Sequence, residues 1–239
     1  MASQASARPR SGRASRPGLG RPEGGSDQKR AAIVKAALEL FLRDGFARTS
    51  VDAIADEAGV SKRTIYNHFG DKENLFLSVI GDSYDSMIGV VVEVMHEHLT
   101  DLPDGEVQEH IIAFARDIAL IAARSSERTA MIRLMMTEAP HFPQLREHRM
   151  RPQGITGAIA EQLVKLDARG LLEVKEPTEA ANHLFSLTMG QMNNRSLFGA
   201  VPLSDEEISH VASSGARAFL RAYRPAGSTL GSQSQPASG

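Results

Sequence analysis

Apolar residues recur along the chain at spacings of three and four, the period of an α-helix, over almost its whole length. No stretch alternates apolar and polar residues as a half-buried β-strand does. We therefore predict an all-α fold. The first helix carries Ile33, Ala37 and Phe41 on one face and ends before Gly45, where the left-handed backbone suits glycine.

Capping residues delimit the helices that follow. Thr49 and Ser50 open a second helix that ends near Gly59, and Ser61 opens a third that runs to about Phe69. Asp71 opens a fourth, whose apolar stripe implies roughly 25 residues and a length of about 40 Å. Further helices are predicted over 106–124, 127–138, 143–169, 177–197 and 204–223, with Pro152 kinking or splitting the third of them and an S-x-x-E capping box at Ser204 and Glu207.

Composition narrows the class of protein. The absence of cysteine excludes disulfides and thiolate chemistry. The net charge of −2 hides an asymmetry, because basic residues outnumber acidic ones over 1–80 and the reverse holds over 81–239. This hints at a polyanionic partner for the N-terminal part. Met87–Met95 is too short for a bilayer span and contains Glu93, and the N-terminus has no signal-like apolar stretch, so we expect a cytoplasmic protein without a membrane partner.

The segment from Ser50 to Phe76, SVDAIADEAGVSKRTIYNHFGDKENLF, has the pattern of a helix-turn-helix. Ala55 is small where two helices would cross, and Gly59 accommodates the turn. The helix after Ser61 exposes polar side chains that donate hydrogen bonds, and no acid occurs before Gly70. An acid-free polar face suits the groove of a polyanion, so this helix is predicted to read duplex DNA.

Residues 30–80, which include IVKAALELFLRDGFARTSVDAIADEAGVSKRTIYNHFGDKENLF, resemble the DNA-binding region of the TetR/AcrR family of regulators. The likeness rests on the T-S-V-x-x-I-A-x-x-A-G-V-S turn and the T-I-Y-x-H-F-x-x-K-E-x-L-F run. MIRLMMTEAPHFPQL, LVKLDARGLL and EPTEAANHLFSLTMGQ resemble the AefR-like C-terminal domain. The resemblance implies an N-terminal three-helix helix-turn-helix domain and a larger helical domain for ligand binding and dimerisation.

The resemblance also implies which residues touch DNA. Ser50 and Ser61 lie at helix N-termini, where hydroxyl, backbone N–H and helix dipole favour a phosphate. We infer that Arg63 reaches into the major groove towards guanine, and that Lys72 holds the DNA backbone. The complete predicted set is Thr49, Ser50, Ser61, Lys62, Arg63, Thr64, Tyr66, Asn67, His68 and Lys72.

These observations divide the chain into four parts. Residues 1–25 form a disordered basic tail, 26–72 the DNA-binding domain, 73–225 the sensing and dimerisation domain, and 226–239 a second disordered tail. The arginines of the first tail either stay solvated or graze DNA, which would add salt-dependent affinity without sequence preference.

A sensor pocket is expected between the fourth helix and the middle helices. Flexible thioethers there suit a small apolar or amphipathic ligand. The same methionine spacing is also typical of ordinary core, and this interpretation stays open. The candidate lining residues are Met87, Phe114, Met131, Leu134, Met135, Phe185 and Met189.

The family architecture implies a homodimer in which the last two helices of each subunit form a four-helix bundle. A run of small residues, Ala212–Ala216, allows close helix approach. Two-fold symmetry would present two reading helices to a pseudo-palindromic operator. The predicted interface comprises Leu184, Leu187, Met192, Ile208, Val211, Gly215 and Phe219.

These features together predict a repressor that binds double-stranded operator DNA as a homodimer and is released when a ligand tilts the fourth helix. Alternatives are an activator or ligand-independent regulator of the same fold, a non-specific DNA-binding protein, and a helical enzyme or carrier with a vestigial head. His96 and His98 point to different helix faces, and we find no catalytic grouping in the sequence. We therefore expect no enzymatic activity, no metal and no cofactor.

Overall fold

The computed structural model describes residues 24–100, 102–149 and 154–226. These residues form α-helices, one 3-10 turn at Asp104–Glu106, one π-helical turn and short connections, without a β-strand among them, which confirms the all-α prediction. The two predicted tails lie outside the described residues, except that Gly24 and Gly25 form the start of the first helix instead of belonging to a tail, and that Ala226 is described. The helices are α1 Gly24–Asp44, α2 Val51–Ala58, α3 Lys62–Phe69, α4 Lys72–Leu99, α5 Val107–Arg124, α6 Ser126–Glu138, α7 Gln144–Arg149, α8 Ile155–Ala168, α9 Pro177–Phe185, α10 Gln191–Arg195 and α11 Asp205–Ala222.

The predicted capping residues begin their helices. Ser50, Ser61 and Asp71 each accept a hydrogen bond from the backbone N–H three residues further on, at 2.7–3.1 Å. Each such cap stabilises its helix by about 1 kcal/mol. Ser204 and Glu207 form the predicted capping box at the start of α11.

Two of the predicted long helices are divided. The predicted helix 143–169 is α7 and α8, and Pro152 lies between them in the undescribed residues 150–153. The predicted helix 177–197 consists of α9, a π-helical turn Ser186–Gly190 and α10.

Helices α1 to α3 and the first half of α4 enclose the core of the N-terminal head. Phe41, Ile54, Ile65 and Phe76 are completely buried there. Burial of each such side chain contributes about 1.5–3 kcal/mol. At the turn between α2 and α3, Gly59 has φ 64 and its N–H contacts the carbonyls that end α2, as the helix-turn-helix pattern predicts.

The 28-residue α4 runs from the head into the C-terminal body. By length and composition it is apolar enough to cross a membrane, a criterion that a core helix of a soluble protein also meets. Leu75 and Val79 pack in the head core, whereas Val91 and Met95 pack in the body core. Its apolar surface is therefore used by two successive cores.

The head core extends beyond the predicted boundary at residue 72. Met131 and Leu134 of α6 and Leu145 of α7 are buried in it. Between the two helices, the ring of Phe142 lies 4.8 Å from Phe46 and 5.0 Å from Phe76. Helices α6 and α7 thus cover the side of the head that faces the body.

The body is a bundle in which α11 packs against α5 and against the turn Ser186–Gly190. Phe219 and Ala216 are completely buried within it. Gly215 permits the closest approach, because a Cβ at this position would collide with the backbone carbonyl of Leu187. The small residues of α11 therefore bring two elements of one chain together.

Candidate DNA-binding interface

The N-terminal turn of α3 is organised by two hydroxyls. Ser61 Oγ accepts a hydrogen bond from the backbone N–H of Thr64 at 3.1 Å and lies 2.8 Å from its Oγ1. Both bonds are on the exposed side of the protein. The helix start is thus fixed before any ligand arrives, and its remaining backbone N–H groups can donate hydrogen bonds to a phosphate oxygen.

One face of α3 points outward. Arg63, Tyr66 and Asn67 are exposed at spacings of three and four, while Ile65 is fully buried on the opposite side. His68 is half-buried beside this face. The exposed side of α3 therefore offers a guanidinium, a phenol and a carboxamide, all of which donate hydrogen bonds to base edges or phosphates.

Lys62 is not a free cation. Its Nζ lies 2.9 Å from a carboxylate oxygen of Asp52 on α2, and both side chains are exposed. The hydrogen bond and the charge of Asp52 raise the pKa of Lys62. The ion pair ties α2 to α3 and offsets the positive charge of Lys62 at the N-terminal end of α3.

Thr49 is predicted to contact DNA, but the structure buries its side chain. The residue is only 3 % exposed, and its hydroxyl donates to the carbonyls of Leu40 and Gly45. It holds the end of α1 against the start of α2. The exposed hydroxyl of this pair is that of Ser50, which caps α2.

Lys72, which is predicted to hold the DNA backbone, lies on the first turn of α4. Its ammonium lies 4.2 Å above the centroid of the Phe46 ring, a cation–π contact, and the side chain is half-buried. Burial lowers the pKa of Lys72, and the carboxylate of Glu138 on α6 acts in the opposite direction. The structure places this residue beside Phe46 of the head and Glu138 of α6, and its contact with DNA stays a prediction.

Arg30 and Asp52 support the interface although the sequence did not single them out. Arg30 donates to Asp82 at 3.0 Å and to Ser78 at 3.1 Å, and its guanidinium lies 5.7 Å from the centroid of the Phe69 ring. It joins α1, α4 and the end of α3. The ten-residue separation of Asp52 and Lys62 across the turn was a usable signal, whereas nothing local in the sequence indicated Arg30.

The residues predicted to line a sensor pocket are divided between two cores. Phe114 and Met189 are buried in the body with Phe185 against them, while Met131 and Leu134 are buried in the head core with Met135 against them. Met87 and Met131 line a small cavity of about 170 Å³ between α4 and α6. Most of this set is therefore packed core, the interpretation that the spacing also allowed.

A larger cavity of about 320 Å³ lies elsewhere, between α6, α10 and the start of α11. None of the seven predicted pocket residues lines it. Its wall is formed partly by the turn that follows α10, which contains Phe198 and Gly199.

The predicted dimer residues face inward within one chain. Five of them have at most 5 % exposure in the single subunit and belong to its body core. Leu187 is half-buried beside this core, and Gly215 packs against its carbonyl. A side chain enclosed by its own subunit cannot contact a partner, so these stripes are intramolecular. The five are Leu184, Met192, Ile208, Val211 and Phe219.

An all-α chain with a capped helix-turn-helix and a polar, acid-free outward face on its second helix belongs to the class of helix-turn-helix DNA-binding regulators. Comparison with known families supports this class of protein. Residues 33–79 match the family model of bacterial regulatory proteins, tetR family, and residues 109–225 match that of the AefR-like transcriptional repressor, C-terminal domain. The chain belongs to the TetR family of transcriptional regulators.

Among its relatives is the HTH-type transcriptional activator FasR of Mycolicibacterium smegmatis, 36 % identical over 90 residues. That alignment covers 34 % of this chain and 41 % of FasR, so the chain spans less than half of that relative. A TetR-family regulator structure from Mesorhizobium loti has a TM-score of 0.75 and 28 % identity, covering 83 % of this chain and 98 % of the other. The flavonoid-responsive regulator FrrA has a TM-score of 0.61 and 31 % identity, covering 84 % and 99 %.

Proposed function

We propose that the protein is a homodimeric repressor that binds a pseudo-palindromic operator through α3 and leaves it when a small molecule binds the body. The observation that carries the proposal is the outward face of α3, where Arg63, Tyr66 and Asn67 stand exposed on a helix that is capped and anchored by Ile65. This arrangement fits the major groove of duplex DNA. The match of residues 109–225 to a repressor's C-terminal domain favours repression.

The proposed dimer uses the exposed side of α9 and α11. His210, Ser214 and Arg217 are exposed at spacings of four and three on α11, and His183 and Ser186 are exposed on and just after α9. Ser186 and Ser214 are small enough to let two helices approach closely. This surface replaces the buried stripe that the sequence pattern predicted, and it keeps the same pair of elements at the interface.

Helix α6 supports a route from the body to the head. Thr129, Ile132 and Arg133 face the 320 Å³ cavity, and Met131 and Leu134 lie on the opposite side of the helix in the head core. A ligand that shifts α6 would therefore press directly on the packing of the head. Because α4 passes through both cores, it takes part in the same movement. A coupling of about 1–3 kcal/mol is typical of such systems.

Ligand response is further supported by likeness to FrrA, a regulator named for its response to flavonoids. Activation is the second candidate function, because FasR is named an activator. Repression and activation differ in where the protein binds relative to the promoter. The same outward face of α3 would serve both functions.

The test is selection of duplex fragments from a random-oligonucleotide pool by the purified full-length protein, followed by sequencing. We expect inverted half-sites about one helical turn apart, or a multiple of it, and a dimer by sedimentation. Transcription in vitro from a promoter that carries the selected site then separates repression from activation. Selection of no duplex, or of single half-sites by a monomer, would contradict the proposal.

A further inference from the structure

The 320 Å³ cavity has a wall in a strained backbone conformation. Leu197 and Phe198 have φ values of 48 and 55, in the left-handed region that non-glycine residues rarely adopt. The turn is held by hydrogen bonds from Phe198 N to Asn193 O at 2.7 Å and from Val201 N to Ser196 O at 2.9 Å. Strain of this kind persists where the surrounding structure imposes it, and it clusters at ligand-binding sites.

The strained turn is also wedged against α6. A Cβ on Gly199 would collide with the side chain of Thr129, so the two elements approach as closely as a glycine permits. The cavity is therefore bounded on one side by α6 and on another by a turn that packs closely against α6.

The buried side chain of Asn193 is the main indication that the cavity binds a ligand. It lines the cavity and is only 9 % exposed, yet its carboxamide makes no hydrogen bond with the part of the chain that the structure describes. Its backbone carbonyl, by contrast, is used by Ser196 and Phe198. A buried polar group without a partner destabilises the folded protein, and a ligand with a matching polar group removes this cost.

The charge around the cavity favours an anion. Three guanidinium groups line it, those of Arg124, Arg128 and Arg133, against the single carboxylate of Asp205. Arg124 and Asp205 form an ion pair, which neutralises both. Arg133 makes no side-chain hydrogen bond or ion pair with the described residues, so its planar group is available for bidentate contact with a carboxylate.

The rest of the lining is apolar. Ile132, Met192 and Ile208 face the cavity, and the last two are at most 3 % exposed. Its volume lies at the lower end of the range for small-molecule sites, about 300–1,000 Å³. A bare inorganic anion would leave this surface uncovered.

We propose that this cavity, with Arg133 at its mouth and Asn193 inside it, binds a small organic acid: a carboxylate on an apolar body. The carboxylate pairs with Arg133 and accepts a hydrogen bond from Asn193 Nδ2, and the body of the ligand packs on Ile132 and Met192. This proposal rests on the proposed ligand-responsive function and gives the ligand its chemical class.

The test is calorimetric titration of the full-length protein, without DNA, with octanoate and 4-phenylbutyrate. Their alcohols, 1-octanol and 4-phenylbutanol, are the neutral partners, and inorganic phosphate is the bare anion. We expect at least one acid to bind one molecule per subunit, about tenfold or more tightly than its alcohol, and phosphate not to bind.

Two variants test the assigned residues. Arg133→Gln should weaken acid binding about tenfold and leave alcohol binding unchanged, whereas Arg146→Gln, at an exposed position on α7, should change neither. Asn193→Leu should weaken acid binding similarly while the unliganded protein unfolds at an equal or higher temperature, because an unpaired buried group is removed.

The proposal is overturned if no acid binds at millimolar concentration, if acids and alcohols bind alike, or if both variants bind the acid as the unmodified protein does. Operator binding is measured in parallel. A protein that binds its selected operator and fails these titrations loses only the ligand assignment, whereas one that also ignores the operator loses the proposed function.

Discussion

The ammonium of Lys62 and the carboxylate of Asp52 are 2.9 Å apart, and this ion pair joins the two helices of the helix-turn-helix on their exposed side. A pair so open to solvent contributes little to stability. Its consequence is electrostatic, because it places an acid beside the surface that approaches a polyanion and withholds one cation from it.

Removing that acid should strengthen DNA binding. In Asp52→Asn, Lys62 is released to contact a phosphate, so we expect higher affinity for all duplexes and a salt dependence that steepens by about 0.9 in log–log slope. Fluorescence anisotropy at several KCl concentrations measures both quantities. Asp56→Asn removes the same charge from an exposed position on α2 and is the control. Equal effects of the two variants would show that the pair with Lys62 is irrelevant.

Arg63 should carry sequence preference. Its exposed guanidinium on the outward face of α3 suits a bidentate contact with guanine, so Arg63→Ala should cost about 1–3 kcal/mol on the selected operator and much less on random DNA. Competition titrations with both duplexes give the ratio. An identical loss on the two duplexes would make Arg63 a phosphate contact.

Thr49 should matter to folding and not to DNA. Thr49→Val keeps the shape and removes the hydroxyl that donates to Leu40 and Gly45, so the free energy of unfolding should fall by about 1–3 kcal/mol. Urea denaturation measures the loss. Thr137→Val, which removes an exposed hydroxyl bonded to Arg133 O, should cost less. If operator affinity of folded Thr49→Val drops instead, the residue touches DNA after all.

Two glycines in helices should respond oppositely to alanine. Gly215→Ala forces α11 away from the Leu187 carbonyl and should destabilise the body by about 1–3 kcal/mol. Gly89→Ala on α4 meets nothing within 4 Å and should stabilise the protein by about 0.5–1 kcal/mol. The unfolding temperatures of both variants test the packing of α11. An unchanged unfolding temperature for Gly215→Ala would contradict the close contact between α11 and Leu187.

The start of α11 should lose support in acid. Hydrogen bonds from the backbone and hydroxyl of Ser204 lower the pKa of Glu207. The ionised cap therefore stabilises the folded state above the ordinary pKa of a glutamate, and this stabilisation disappears as pH falls through the lower, folded value. Unfolding temperatures of Glu207→Ala and the unmodified protein should differ at neutral pH and converge in acid. The exposed neighbour variant Glu206→Ala should show no such convergence.

Local chemistry in the sequence was enough to predict the helices of the head. Ser50, Ser61 and Asp71 are residue types that favour N-caps, and Gly59 is the type that favours a left-handed turn, so the bounds of α2 to α4 follow from neighbours only a few residues apart. Identifying α3 as the outward-facing helix followed from its lack of acids.

What the sequence could not show is which partner covers an apolar stripe. Leu184 and Phe219 lie on apolar helix faces whose residue spacing fits either a subunit interface or packing within one chain. In the structure both residues pack in the body core of their own chain. Met131 and Leu134 were expected around a ligand and instead complete the head core, because α6 turns that side towards α1 and α4. Thr49 and Ser50 are both hydroxyl residues before a helix, and only the fold distinguishes the buried one.

Because residues of α6 and α7 complete the head core, the head of this regulator cannot simply be joined to the body of another regulator. A graft cut at residue 72 would separate Phe46 from Phe76 and from Phe142 of the segment between these helices, against whose rings it packs. A functional chimera would therefore need to transplant the DNA-reading head together with residues 126–149, or to redesign the surface that they cover. The DNA-reading residues of α3 and the helices that complete the core beneath them would then be exchanged as one unit.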